Sequence, residues 1–235
     1  MELLSSAGLD VLLRWIHVFA GVVWIGILYY FNFVQTPFFG SAISGDAKLP
    51  MTRALVPNAL WWFRWGAMFT FLSGWTIVAI RFGVMGMGLE TGYMTRVLTG
   101  GLMGSLMWAN VWFVIWPAQK VVIRNAEQVA GGSEPMPEAA ASGAKAGMAS
   151  RTNTLFSIPM LFFMISAANF PSFLSGDNDT TYWLVAGAII VAVEINGLIG
   201  PGAATQKPLT SVTGTVNAGL GLWLLLYLVG ALTNS

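Results

Sequence analysis

The chain has 235 residues, of which 56% are hydrophobic and 9% charged, with a mean hydropathy of +0.69 and a formal net charge of +1. An ordinary soluble domain carries about 25% charged residues, so the composition excludes a water-soluble globular protein. The 11 Lys and Arg residues form no basic stripe, which excludes nucleic acid as a partner, and the lack of cysteine excludes disulfides, thiolate metal sites, iron–sulfur ligation and thioether-attached haem.

Six stretches are long and apolar enough to cross the roughly 30 Å hydrocarbon layer of a bilayer, which takes about 20 helical residues. They lie near Leu9–Phe33, Asn58–Phe82, Arg96–Trp116, Thr152–Phe173, Tyr182–Gly200 and Val212–Leu232. The first has no basic segment before it and exceeds a signal-peptide length, so we expect it in the mature protein. The sequence predicts an all-α membrane helix bundle with about six transmembrane helices, a single integral membrane domain over residues 1–235.

Two connections between these stretches are long. Lys120–Ser150 is rich in Gly, Ala, Pro and Glu and lacks helical apolar periodicity, which predicts an exposed loop. Phe38–Leu55 carries Gly, Ser, Asp and Pro, and we expect a short interfacial helix there.

The basic residues indicate the orientation. The loops on one side of the six-helix arrangement hold Lys48, Arg53, Lys120, Arg124, Lys145, Arg151 and Lys207. The opposite side holds only Arg81 and Arg96, at helix ends. By the positive-inside rule the first side is cytoplasmic, which predicts a multi-pass protein of the bacterial inner membrane with both termini on the outer, periplasmic side.

The first predicted helix carries the only histidine of the chain, His17. Arg14, Gly21 and Trp24 share its helical face, and Gly21 leaves a gap beside the imidazole. One hypothesis is a cofactor site, in which His17 is the metal ligand of a haem b, or contacts a quinone, with Arg14 and Trp24 beside it. The other is a hydrogen-bonded histidine between two packed helices. With one histidine, bis-histidine haem ligation within this chain is excluded.

Glu194 is the only carboxylate deep inside a predicted span. A charged side chain there costs about 2.5–3.5 kcal/mol on insertion scales, so it needs a partner or a function. Arg64 and Asn110 are predicted at similar depth. Two interpretations stay open: a catalytic group of Glu194, Arg64 and Asn110 that relays protons or anchors a substrate, and a structural Arg64–Glu194 ion pair that orients two helices.

Methionine pairs spaced by four residues offer a further metal hypothesis. Met103 with Met107, and Met160 with Met164, each lie on one helical face. Thioethers bind copper or haem iron, but methionine is also an ordinary packing residue in helices. Because no further His or Cys accompanies these pairs, packing is the favoured interpretation.

Three stretches resemble one known family. They are LLRWIHVFAGVVWIGILYYFNFVQ (Leu12–Gln35), WANVWFVIWPAQK (Trp108–Lys120) and ASRTNTLFSIPMLFFMISAANFP (Ala149–Pro171). Together they resemble the urate oxidase N-terminal membrane domain family, the membrane part of bacterial cytochrome-c-linked urate hydroxylases. The resemblance implies redox work in the membrane, with a cytochrome c module outside the cytoplasm as electron acceptor. The positions that it carries over are His17, Trp24, Asn110, Trp116, Pro117, Arg151, Asn153 and Pro159.

The chain departs from that pattern in two places. It contains no CxxCH motif, so any cytochrome is expected to be a separate membrane or periplasmic protein. Where the resemblance implies a histidine before the aromatic residue and proline that end the fourth span, the chain has Ala168–Asn169–Phe170–Pro171. This second departure places urate oxidation by the chain in question.

Three functions follow as hypotheses. The first is a redox-linked membrane component, urate-hydroxylase-like, that works with a separate cytochrome. The second is a non-catalytic accessory subunit of a larger membrane energy-converting complex, which would bind other membrane subunits. The third, a carrier or channel, depends on Arg64 and Glu194 alone, and no inverted repeat between the two halves supports it.

Overall fold

A computed structural model describes residues 5–170, 173–174 and 179–233, and these residues form helices joined by turns, with no β-strand among them. The six long helices are α1 Ser6–Phe39, α2 Ala42–Gly83, α3 Gly92–Ala130, α4 Ala139–Asn169, α5 Asp179–Leu198 and α6 Val212–Thr233. A short 3-10 helix, Ala204–Thr210, lies between α5 and α6. The predicted all-α structure is confirmed.

Prolines shape the first three helices. Each contains a π-helical segment that ends two residues before a proline: Tyr30–Gln35 before Pro37, Met51–Leu55 before Pro57, and Asn110–Ile115 before Pro117. Proline lacks the N–H group, and its ring collides with the carbonyl group four residues earlier, so a widened turn relieves the collision. Each π-helical segment also brings one polar side chain into the interior, namely Asn32, Thr52 or Asn110.

Helix α4 is the centre of the bundle. Residues 152–157 are all buried, with exposed fractions of 6% or less, so the helix faces protein on every side. Three glycines of its neighbours allow close approach, because a Cβ atom at Gly100 of α3, Gly197 of α5 or Gly219 of α6 would crowd α4. From α1, the Tyr29 hydroxyl forms a 2.8 Å hydrogen bond with the Ser157 hydroxyl. Small residues at such contacts are how membrane helices pack closely.

The proline of α4 explains the position of one of these glycines. Pro159 has no N–H to donate to the Leu155 carbonyl oxygen, four residues earlier. Gly219 of α6 lies against that oxygen, and a Cβ atom at position 219 would be 2.9 Å from it and 2.6 Å from Cδ1 of Ile158. The carbonyl group freed by proline is therefore covered by glycine backbone of the neighbouring helix.

Five helices are long and apolar enough to cross a membrane: α1, α2, α3, α5 and α6. Helix α4 is not among them, because its buried polar residues, including Thr152, Asn153 and Ser157, lower its hydropathy while they face other helices. A multi-pass membrane protein is thereby supported, with five candidate spans. The predicted stretch Thr152–Phe173 overlaps α4, although Pro171 and Ser172 lie outside the described residues.

The exposed loop predicted at Lys120–Ser150 is wrong. Helix α3 continues to Ala130 and α4 begins at Ala139, so only residues 131–138 of this segment are not helical. Alanine has the highest helix propensity of the amino acids, and the Ala-rich sequence after residue 138 forms a helix despite its lack of apolar periodicity. Phe38–Leu55, where a short interfacial helix was expected, is helical from Ala42, but as the beginning of the long helix α2.

Candidate functional site

A buried polar cluster connects α3, α4 and α5. The Asn110 Nδ2 atom donates to Glu194 Oε2 at 3.1 Å and to Asn153 Oδ1 at 2.9 Å. The Asn153 Nδ2 atom donates to the Met107 carbonyl oxygen at 2.9 Å. The exposed fractions are 2% for Asn110, 0% for Asn153 and 7% for Glu194. We call these three residues the Glu194 cluster.

Asn110 is hydrogen-bonded to both other residues of the Glu194 cluster. It is the first residue of the π-helical segment Asn110–Ile115, and both hydrogens of its amide nitrogen are used. Glu194 accepts its hydrogen bond through Oε2 only, and none of the described Lys, Arg or His side chains comes within 4.0 Å of the carboxylate. The carboxylate is therefore held in place by a neutral amide and keeps one oxygen available to a proton or a ligand.

Arg64 lies elsewhere, so the expected Arg64–Glu194 ion pair does not form. Its guanidinium carbon is 3.5 Å from the centre of the Trp116 ring and 5.6 Å from that of Trp112. Its Nε atom donates to the Leu60 carbonyl oxygen at 3.2 Å. Cation–π contacts with two indole rings stabilise the charge of Arg64 in place of a carboxylate.

His17 is a hydrogen-bonded histidine between α1 and α2. Its Nδ1 atom is 2.9 Å from the Thr70 carbonyl oxygen and 3.3 Å from the Ser73 hydroxyl. Because a carbonyl oxygen only accepts, Nδ1 donates to it and therefore carries a proton. The ring packs on Gly74, where a Cβ atom would be 2.9 Å from Cε1 of His17.

The surroundings of His17 do not fit a haem on the face where a gap was expected. A Cβ atom at Gly21 would meet Thr70 of α2 at 3.9 Å, an ordinary packing distance, so α2 fills that gap. Arg14 forms an ion pair with Asp10 at 2.5 Å, and Trp24 is 2% exposed in the seam between α1 and α2. The three residues predicted to hold a cofactor therefore share no cleft on that face. Nowhere in the described ranges do three or more His, Cys, Asp or Glu residues group as metal ligands would.

Sequence reasoning missed a second charged cluster at one end of the bundle. Arg81 of α2 donates to both carboxylate oxygens of Asp10, from Nε at 3.1 Å and from Nη2 at 2.9 Å. Arg81 also lies over the Tyr93 ring, 4.8 Å from its centre. The signal was available, because an antiparallel pair of helices brings the first turn of α1 beside the last turn of α2.

Sequence reasoning also missed a cavity of about 90 Å³ between α1, α2, α3 and α4, which we call the polar cavity. Its polar lining residues are Asn32, Gln35, Thr36, Gln119, Ser150 and Arg151. These residues lie near the predicted helix ends, where polar side chains are ordinary, so their convergence has no signature in the sequence alone.

Comparison with known proteins gives one match. Residues 88–199 match the family described as "Urate oxidase N-terminal", and this range contains the whole Glu194 cluster. Of the three stretches on which the resemblance was based, Trp108–Lys120 and Ala149–Pro171 lie inside it, whereas Leu12–Gln35 lies outside. No curated protein and no solved structure matches the chain. Over residues 88–199 the chain is thus similar to the urate oxidase N-terminal family, in agreement with the resemblance seen in its sequence.

Proposed function

We propose that the chain is a redox-linked membrane component of a urate-oxidising system that delivers electrons to a separate, cytochrome c-like protein. The observation that carries this proposal is the family match over residues 88–199, which contains the buried carboxylate of Glu194 and the amides that hold it. A structural role for the Glu194 cluster needs only amides, whereas a carboxylate without a cationic partner is costly in a membrane and is typical of functional sites.

In this proposal, Glu194 accepts a proton. Hydroxylation of urate by water adds one oxygen atom and releases two protons and two electrons, so a group that receives a proton is needed beside the substrate. Asn110 positions the carboxylate through Oε2, which leaves Oε1 as the accepting atom. The electrons pass singly to the cytochrome. Because α2 fills the gap at Gly21, we assign the haem b or quinone of the system to a partner protein instead of His17.

We further infer that α4 also crosses the membrane, which gives six spans and places both termini on the periplasmic side of a bacterial inner membrane. With 31 residues, α4 is about 46 Å long, enough to cross the hydrocarbon layer. Its polar residues Thr152, Asn153, Thr154, Ser157 and Ser166 are buried against other helices, so they do not face lipid. This orientation agrees with the positive-inside rule and puts the C-terminus on the side where a periplasmic cytochrome is met.

The test measures urate-dependent reduction of cytochrome c by membranes that contain the chain, together with a reduced-minus-oxidised visible spectrum and pyridine-haemochrome assay of the purified protein and its partners. We expect Glu194→Gln to slow the reduction by about 100-fold, as removal of a general base does. The matched control is Glu138→Gln, at an exposed position before α4, which should leave the rate unchanged. Absence of urate-dependent reduction with every cytochrome of the host would contradict the proposal.

The alternative function, an accessory subunit of a larger complex, is favoured by one surface of α2. Trp61, Trp65 and Phe69 lie on one face, 37% to 53% exposed, and successive ring centres are 6.4 Å and 6.1 Å apart. An exposed aromatic row of this kind suits a partner helix as well as lipid. A colourless protein that copurifies with a fixed set of larger subunits, and loses them in a Trp61→Ala/Phe69→Ala variant, would support this function.

A further inference from the structure

The polar cavity is built by all three π-helical segments of the protein's described part. Gln35 ends the first segment, Val56 directly follows the second and Ile115 ends the third, and all three residues line the cavity. The widened turns of α1, α2 and α3 thus meet at one place, against Ser150 and the beginning of the buried part of α4. Such segments are frequent at functional sites.

The lining of the polar cavity offers both acceptors and donors that the fold does not use. The Gln35 Oε1 atom is buried and has no hydrogen-bond partner. Arg151 is half-buried and donates through Nη1 to the Leu209 carbonyl oxygen at 2.7 Å, so its other nitrogens remain available. A buried acceptor without a donor costs about 1–3 kcal/mol, so a ligand toward which the Gln35 amide turns, and which donates to its oxygen, relieves a cost already present in the folded protein.

The walls of the polar cavity favour a flat ligand. Phe31 and Phe63 meet edge to face, with ring centres 5.7 Å apart, and Leu60 lies beside them. At about 90 Å³ the cavity has the volume of about three water molecules, so it accepts the edge of a small ring while the remainder stays in the open mouth. The edge must carry N–H groups for Gln35 and carbonyl groups for Arg151.

We propose that the polar cavity binds the edge of a small planar molecule with neighbouring carbonyl and N–H groups, that is, an oxopurine or a cyclic ureide. Urate is the member of this class that the proposed function names, and to that extent the inference rests on that function. The Glu194 cluster does not line the polar cavity; its Asn153 follows the lining residue Ser150 by three residues, about 4.5 Å along α4.

Gly147 offers a way to block the polar cavity without disturbing the fold. It lines the cavity, and a Cβ atom at its position would meet nothing within 4 Å. Gly147→Leu therefore fills the cavity, and leucine is a better helix former than glycine, so the free energy of unfolding should not fall. The matched control is Gly101→Leu in α3, where a Cβ atom also meets nothing within 4 Å and which lies outside the cavity lining.

The experiment measures equilibrium binding of urate, xanthine and allantoin to the purified full-length chain by isothermal titration calorimetry. We expect binding of at least one of them to the unchanged protein and to Gly101→Leu. Gln35→Leu should weaken binding about tenfold, the effect of one lost hydrogen bond to the ligand, and Gly147→Leu should abolish it. Equal thermal unfolding of the four proteins shows that the loss is local.

Binding and turnover separate this inference from the proposed function. Binding that Gly147→Leu abolishes, without urate-dependent cytochrome reduction, keeps the inference and removes the proposed function. Urate-dependent reduction with the same Michaelis constant in Gly147→Leu as in the unchanged protein keeps the proposed function and overturns the inference. Failure of all three compounds to bind the unchanged protein also overturns it, as does binding that neither Gln35→Leu nor Gly147→Leu weakens.

Discussion

Two regions of this protein place a titratable side chain inside a helix bundle, and they treat it differently. Between α1 and α2, one neighbouring helix satisfies His17 through a backbone carbonyl group and a hydroxyl, and Gly74 makes room for the ring. Among α3, α4 and α5, Glu194 depends on Asn110, which in turn binds Asn153. A histidine satisfied by one helix pair is explained by packing, whereas a carboxylate that three helices hold without a cation is the basis of the functional role proposed for Glu194.

Of the substitutions that test this comparison, we expect Asn110→Leu to have the largest effect on the free energy of unfolding. Asn110→Leu removes the donor of two hydrogen bonds and leaves the Glu194 Oε2 and Asn153 Oδ1 acceptors buried without partners. Each such acceptor costs about 1–3 kcal/mol, so we expect the free energy of unfolding to fall by about 3 kcal/mol. The measurement is unfolding of the protein in mixed micelles by titration with SDS.

Asn169→Leu is the matched control for this prediction. Asn169 is exposed at the end of α4, and its Nδ2 atom donates within its own helix to the Ile165 carbonyl oxygen at 2.8 Å. The same substitution there should change the free energy of unfolding by less than about 0.5 kcal/mol. If Asn110→Leu costs no more than this control, the Glu194 cluster does not hold the three helices together.

The fold could be predicted from the sequence because apolar stretches of bilayer length carry a strong signal. Four of the six predicted stretches fall within helices long and apolar enough to span, and a fifth, Tyr182–Gly200, extends only two residues beyond such a helix. The central helix α4 shows the limit of this reasoning, because its polar residues face protein, and hydropathy does not distinguish burial against helices from exposure to water. The continuation of α3 and α4 into Lys120–Ser150 was not predicted for a related reason, since alanine favours a helix without producing an apolar pattern.

The packing of His17 on Gly74 gives a second prediction, with a smaller expected effect on the free energy of unfolding. Gly74→Ala puts a Cβ atom 2.9 Å from Cε1 of His17, and we expect it to lower the free energy of unfolding by about 1–2 kcal/mol. In a His17→Ala background the ring is gone, and alanine, a better helix former than glycine, should be neutral or stabilising by up to about 1 kcal/mol. SDS titration of both single variants and the double variant measures this difference. Equal effects of Gly74→Ala in the two backgrounds would show that the ring does not lie on the glycine.

The candidate site could be predicted only in part, because depth along a helix is easier to infer than direction around it. Counting residues placed Arg64, Asn110 and Glu194 at one level of the membrane, and Asn110 and Glu194 do meet. Arg64 faces Trp116 instead. The direction in which each side chain points depends on how the helices rotate against one another, and the π-helical segments shift that rotation within α1, α2 and α3.

The smallest expected effect is the coupling energy between Arg64 and Glu194, which tests directly whether these two side chains form an ion pair. In a double-mutant cycle, Arg64→Gln and Glu194→Gln should be additive, with a coupling energy below about 0.5 kcal/mol, because the two groups share no contact. The matched cycle of Asn110→Ala with Glu194→Ala, each of which removes the hydrogen bond, should give about 1 kcal/mol, since a 3.1 Å hydrogen bond joins those side chains. A large coupling in the first cycle would restore the Arg64–Glu194 ion pair and make Glu194 a structural residue. Additivity there, with coupling in the second cycle, keeps the carboxylate without a cationic partner, which is the condition on which its role as a proton acceptor depends.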